Sequence, residues 1–208
     1  MKVLLVNGSP HKKGCTYTAL CEIIKELEKN GIETEIFDIG TEPVRGCSGC
    51  GGCAKTGGKC AFGGDAVNAL IEKAKTADGF IFASPVHYAS PAGALLAVLD
   101  RAFYAGSRSF AYKPAAAVVS CRRAGSTAAL DCLNKYFTIN NMPVVSSEYW
   151  NMVHGAAADD VLSDGEGLQI MRTVGKNMAW LLKCIESGRQ SGITPPEAEP
   201  KIRTNFIR

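Results

Sequence analysis

Four cysteines, Cys47, Cys50, Cys53 and Cys60, fall within fourteen residues at the spacing C-x2-C-x2-C-x6-C, in a segment dense with glycine (Gly46, Gly49, Gly51, Gly52, Gly57 and Gly58). A compact C-x2-C-x2-C run sets three thiolates on one corner of a cubane and a fourth closes it, so the spacing suits a [4Fe–4S] centre. Structural zinc favours paired C-x2-C knuckles separated by a longer span, which this run does not provide. A cluster-free loop of free or oxidised thiols is the alternative. Cys15, Cys21, Cys121, Cys132 and Cys184 are dispersed and read as small core or pocket-lining residues.

A second candidate is the segment Gly8-Ser9-Pro10-His11-Lys12-Lys13-Gly14-Cys15-Thr16-Tyr17-Thr18, which joins the apolar run Val3 to Val6 to an amphipathic stretch. At such a strand-to-helix junction the free N–H groups and the positive end of the helix dipole attract a phosphate. Ser9, Thr16 and Thr18 add hydroxyls; His11, Lys12 and Lys13 add polar or positive character. A nucleotide-binding P-loop is excluded, because five residues separate Gly8 from Gly14 and Cys15, not Lys, follows. A C-x5-R phosphatase loop is excluded too, since Cys21 stands six residues after Cys15. A phosphomonoester held by hydroxyls and amides remains, beside the plainer reading of an ordinary βα turn.

The elements that must position these groups alternate along the chain. Lys2 to Val6 reads as a strand buried on both faces. Thr16 to Asn30 reads as a helix with Leu20, Ile23, Ile24 and Leu27 on one side. A half-exposed strand, Glu33 to Ile39, precedes an irregular insertion at 46–64 and a helix from Asp65, its cap, to Lys75. Strand Gly79 to Ser84, a loop around Pro85 to Pro91, and a helix through Leu95, Leu96, Val98 and Leu99 to Phe103 follow. Then come strand Ala115 to Ser120, a polar turn at Arg122 to Gly125, a helix from Thr127 to about Phe137, a strand at Pro143 to Ser147, and a helix from about Glu166 to Glu186. Helices between strands imply βαβ crossovers and a parallel sheet. Five strands suit an α/β fold of flavodoxin-like order 2-1-3-4-5, a three-layer αβα sandwich, over residues 1–187 with a tail at 188–208. In such a sheet the ligand lies outside the carboxyl ends of the strands, where the loops after strands one, three and four meet.

The chain has 208 residues, 46% hydrophobic and 21% charged, with a formal net charge of +3. These values fit one domain and give no positive footprint for nucleic acid. No apolar run approaches the ~18 residues of a membrane span. With nine cysteines, an odd number, and no secretory segment at Met1 to Asn7, the expectation is a reducing cytoplasm rather than a secreted disulfide framework.

Gly8-Ser9-Pro10-x-Lys12-x-Gly14-x-Thr16 and Ser84-Pro85-Val86-His87-Tyr88-x-Ser90, with Leu99-Asp100-Arg101 downstream, resemble the NADPH-dependent FMN reductase family of flavodoxin-like proteins over most of residues 1–155. The resemblance implies that Ser9, His11, Cys15, Thr16 and Thr18 hold the FMN phosphate, although this chain has His11 where Arg is common and Cys15 where Asn is common. It also implies that Pro85, Val86, His87 and Tyr88 border the flavin ring and that Ser120 to Gly125, with Arg122 or Arg123 near the pyrimidine edge, form a third wall. An X-Pro segment ending a buried strand fixes backbone in the way a flat ring slot needs. Trp150, Met152 and His154 would line the mouth of the pocket or pack in the core, and Asp100 with Arg101 would pair locally or at a subunit contact.

The insertion after the second strand is similar to that of the iron-sulfur flavoprotein subgroup, with Cys47, Cys50, Cys53 and Cys60 as ligands. The implied function is an FMN-dependent oxidoreductase moving electrons between a reductant, NAD(P)H or ferredoxin, and an acceptor. Small-molecule or protein redox partners and a homodimer or homotetramer go with it. A cluster-free NAD(P)H-dependent FMN or quinone reductase is one alternative; a non-catalytic flavin electron carrier or redox sensor is another. No side chain is required as a catalytic acid or base.

Overall fold

A computed structural model describes residues 1–202, 204 and 206. Its strands are β1 (Lys2–Asn7), β2 (Glu33–Asp38), β3 (Gly79–His87), β4 (Ser90–Pro91), β5 (Ala115–Cys121) and β6 (Met152–His154). The sheet order is β2-β1-β3-β5-β6, all parallel, with β4 folded back antiparallel on β3. The expected order 2-1-3-4-5 is therefore present with one short strand added. β1 is apolar along Val3 to Val6 because it has helices on both faces: Leu4 and Val6 enter one core, Val3 and Leu5 the other.

Helices α1 (Cys15–Lys29), α5 (Ala158–Ser163) and α6 (Gly165–Gln190) cover the face of Val3 and Leu5, while α2 (Ala66–Thr76), α3 (Gly93–Gly106) and α4 (Ser126–Thr138) cover the other. The apolar side of α1 buries Leu20, Ile23 and Leu27 completely, and truncating any of them to Ala would cost about 2–5 kcal/mol. α6 comes close enough to α1 that a Cβ at Gly175 would stand 2.8 Å from Glu26 Cβ and 3.0 Å from the Ile23 carbonyl. Asp65 caps α2 as expected, accepting the Val67 N–H at 3.1 Å. Among the described residues no helix is long and apolar enough to cross a membrane.

Three parts depart from expectation. The segment Pro143 to Ser147 is not a continuous strand: Val144 forms one bridge to Ala115, the chain then leaves the sheet, and regular pairing resumes at β6. The buried Asn151 organises this excursion, its side-chain N–H donating to the Val145 carbonyl at 3.2 Å and its carbonyl accepting from Val119 N–H at 3.0 Å. The loop expected around Pro85 to Pro91 is instead a hairpin, turned at Tyr88 (φ 51°) and Ala89 (φ 57°), the left-handed pair that hairpins of this length use. Finally, α6 runs to Gln190, so the boundary expected at 187 falls inside a helix, and the tail begins at Ser191. The short helix α5 was not expected at all.

Candidate functional site

The polar turn after β1 begins at Asn7, which is fully buried at the strand's end. Its amide N–H donates to Asp38 at 2.8 Å and its carbonyl accepts from Ser9 N–H at 3.2 Å, so it ties the loop to β2. Gly8 N–H donates to the Ala83 carbonyl at 2.8 Å. A Cβ on Gly8 would lie 2.6 Å from Leu95 Cδ2 and 2.8 Å from that carbonyl, so glycine is required for β1 to end this close to β3 and α3. Ser9 Oγ accepts from His11 N–H at 3.1 Å, the local turn that serine favours.

Gly14 precedes α1 without a side-chain cap, and no acidic residue lies in the first turn. The first helical bond runs from Thr18 N–H to the Gly14 carbonyl at 3.0 Å. Ahead of it stand the orphan N–H groups that every helix presents, here those of Cys15 to Tyr17. An uncapped, acid-free helix start is a place where an anion gains both hydrogen bonds and dipole attraction.

A cleft of about 390 Å³ opens at this point. Ser9, His11, Cys15 and Thr16 line it from the first loop, Pro85, Val86 and His87 from the end of β3, and Ser120 and Arg122 from the end of β5. The Thr16 and Ser120 hydroxyls are buried and 3.0 Å apart, linking the first wall to the third. The cleft's fourth side, Gly155 to Ala157, was not foreseen. Asp160 builds it by accepting the Ala156 and Ala157 N–H groups at 2.8 and 2.9 Å. These same bonds, Ala157's first, hold the Asp160 carboxyl below its usual range. The only sequence signal there is small residues followed by an acid, which many loops share.

Other expected residues lie elsewhere. Thr18 spends its hydroxyl proton on the Gly14 carbonyl at 3.2 Å, inside the helix. Tyr88 is wholly exposed at the hairpin tip. Arg123 is exposed in the turn after β5 and outside the cleft. Gly125 (φ 91°) acts beneath the hairpin, where a Cβ would meet Ala89 Cα at 2.7 Å. Trp150, Met152 and His154 line a neighbouring depression with Tyr149.

Burial pushes the Cys15 thiol up, and its Sγ–H donates to the Gly155 carbonyl at 3.5 Å. Burial likewise raises Cys121. Both shifts favour the neutral thiol, which does not repel an anion.

The cysteine segment lies apart from the cleft, against α2 and α3. All four thiols are free, Cys47 and Cys50 exposed and Cys53 and Cys60 partly buried, and all four line one pocket with Arg101 and Tyr104 of α3. Gly52 N–H, above all, holds the Cys50 thiol below its usual range. Among the described residues no three His, Cys, Asp or Glu side chains converge as around a single ion. A cubane is bound at separate corners by four thiolates, so what bears on it is the donor set, and the four cysteines that line this one pocket supply that set. Asn68 clamps the backbone of Cys60, accepting its N–H at 2.8 Å and donating to its carbonyl at 3.0 Å. Asp100 and Arg101 do not pair with each other: Asp100 accepts from the Tyr136 hydroxyl, and Arg101 pairs with Asp65.

Residues 1–157 match the model of the NADPH-dependent FMN reductase family. The chain belongs to that family. An iron-sulfur flavoprotein of Methanocaldococcus jannaschii is 30% identical over 89% of this chain and all of its own length. An iron-sulfur flavoprotein of Methanosarcina thermophila is 26% identical over 91% of this chain and 99% of its own. A flavone reductase structure superposes with a TM-score of 0.69 at 18% identity, over 89% of this chain and 64% of that one, a likeness of fold alone. This FMN reductase family member is thus an FMN-dependent flavodoxin-like oxidoreductase. Its cleft fits the cofactor: the uncapped start of α1 suits the phosphate, and β3's Pro85-Val86-His87 backbone forms a side wall.

Proposed function

We propose that this oxidoreductase relays electrons between a reductant, NAD(P)H or ferredoxin, and a small-molecule or protein acceptor, using FMN in the cleft and a [4Fe–4S] centre on Cys47, Cys50, Cys53 and Cys60. The observation that carries the reading is the placing of four free thiols around one pocket on the same domain as an anion-accepting cleft. FMN, when bound, supplies exchange of electrons in ones or twos, which is what joins a hydride donor to a one-electron centre. Ser9, Thr16 and Ser120, with the N–H groups that open α1, hold the phosphate. Cys15 and Cys121 line the cleft as neutral thiols, and Arg122 places a positive charge at its edge. We assign the chain to the cytoplasm, in keeping with nine cysteines, an odd number unlike a secreted disulfide framework, and read it as a homodimer or homotetramer.

The reading without a cluster, an NAD(P)H-dependent FMN or quinone reductase, draws on the match of residues 1–157 to the NADPH-dependent FMN reductase family. Anaerobic mixing with NADPH, NADH or reduced ferredoxin, followed at the flavin and cluster absorbances, separates the two. The relay predicts bleaching of both chromophores by one of these donors. Flavin bleaching with no second chromophore contradicts it.

A further inference from the structure

Arg101 lies within α3, only 2% exposed, yet its partners all belong to the cysteine insertion or to the residues that bracket it. Its Nη1–H donates to the Arg45 carbonyl at 3.1 Å, immediately before the insertion, and to the Asp65 carboxylate, immediately after it. Nη2–H donates to the Phe62 carbonyl at 2.8 Å, and Nε–H donates to Cys60 Sγ at 3.3 Å. One guanidinium therefore closes the loop 46–64 at both ends and holds one of its four thiols. Arg45 adds a second fastening, its guanidinium 4.2 Å from the centre of the Phe62 ring.

A buried ion pair is a weak source of stability, since apolar residues of similar volume often serve as well. Arginine offers a rigid planar fork whose donors fix several groups at once. Here that fork pre-pays the entropy of closing the insertion. The fork also leaves Cys60, the cysteine after the long x6 gap, in place before any cluster arrives. An N–H directed at a ligating sulfur, carrying positive charge in a buried setting, favours the more negative, reduced form of a cluster.

We infer that Arg101 is a positioning residue of the cysteine centre: it presets Cys60 as the closing ligand and raises the centre's reduction potential through its bond to sulfur. The inference rests on the cluster reading of the four cysteines, and its test separates the two. Wild type, R101K and R101M are reconstituted anaerobically with iron and sulfide, and the cluster potential is followed by electron paramagnetic resonance during redox titration. In parallel, the cluster-free proteins are treated with iodoacetamide and alkylation of each cysteine is timed by mass spectrometry.

The expected results are a lower potential in R101M, an intermediate one in R101K, and Cys60 alkylation faster by ~10-fold in R101M with Cys47 unchanged, as loss of a buried hydrogen bond of ordinary strength implies. Should R101M lose its FMN or fail to fold, R101K carries the comparison, because it keeps the charge and loses the fork. Loaded variants with the wild-type potential, or Cys60 alkylated at the wild-type rate in both, overturn the inference. Wild type that takes up no iron, with Cys60 still exposed by the substitutions, overturns the cluster reading and keeps the role in loop closure.

Discussion

Thr16 and Ser120 carry the join between the two walls of the cleft, and neither has a free choice of partner, because both are buried and face each other at 3.0 Å. Replacing Thr16 by Val preserves shape and leaves the Ser120 hydroxyl unpaired, at a cost of about 1–3 kcal/mol. The T16V variant should bind FMN ~10-fold more weakly in a fluorescence titration, as loss of one hydrogen bond to a charged phosphate implies, and Ser120→Ala in the same protein should restore part of the lost melting temperature but none of the FMN affinity. These hydroxyls were foreseeable because their place in the order strand-turn-helix puts them at a known end of the sheet. Thr18 was not separable from them: only the three-dimensional turn shows its proton committed to the Gly14 carbonyl. Asn7 and Gly155 to Ala157 escaped for the same reason. A polar residue closing a strand acquires meaning only once Asp38 arrives from elsewhere in the chain, and a run of small residues only once the nearby Asp160 turns back onto its N–H groups.

At the scale of elements, the five long helices and the first three long strands follow from periodicity and from end signals such as Asn30 and the cap Asp65, whereas the short α5 does not. The split of the fifth strand did not, because the side chain of Asn151, not the local pattern of Pro143 to Ser147, decides where pairing stops and resumes. The β3–β4 hairpin depends on Gly125, whose positive φ and missing Cβ let Ala89 lie against it. Gly125→Ala should displace the hairpin, lower the melting temperature and weaken FMN binding together. Unchanged melting and affinity would show that the hairpin does not shape the cleft.

Edge strand β2 is held by charge as well as by its ladder. Glu35 meets Lys2 at 2.6 Å and also Lys73, and the bonds to Lys2 and Lys73 keep its carboxyl below the ordinary value of 4.5. A depressed folded pKa gives stability that is complete above 4.5 and lost as the pH falls through the folded value. Wild type should therefore exceed E35Q in urea midpoint at neutral pH, and the gap should close as the pH is taken below 4.5 and down through the depressed folded value.

Across the whole molecule, the cleft and the cysteine pocket occupy different parts of one αβα domain. The cleft sits at the carboxyl ends of β1, β3 and β5, where a parallel sheet places its ligands. The cysteine insertion, which follows β2, is fastened to α2 and α3 by Asn68, Asp65 and Arg101. The four cysteines were plain in the sequence from spacing alone, whereas their anchor was hidden, since Arg101 stands 41 residues from Cys60 and has an acid beside it that suggests a local pair. The substitution C53A should abolish iron uptake while leaving flavin content at the wild-type level, because no cysteine of the insertion touches the flavin cleft.

The account stands most directly on an anaerobic visible spectrum of the purified protein, with flavin, iron and acid-labile sulfide measured on the same sample. It predicts one FMN and one cubane's complement of iron and sulfide per chain, with broad absorbance underlying the flavin bands. Flavin bands near their free positions with no iron or sulfide, in protein kept from oxygen throughout, would contradict it.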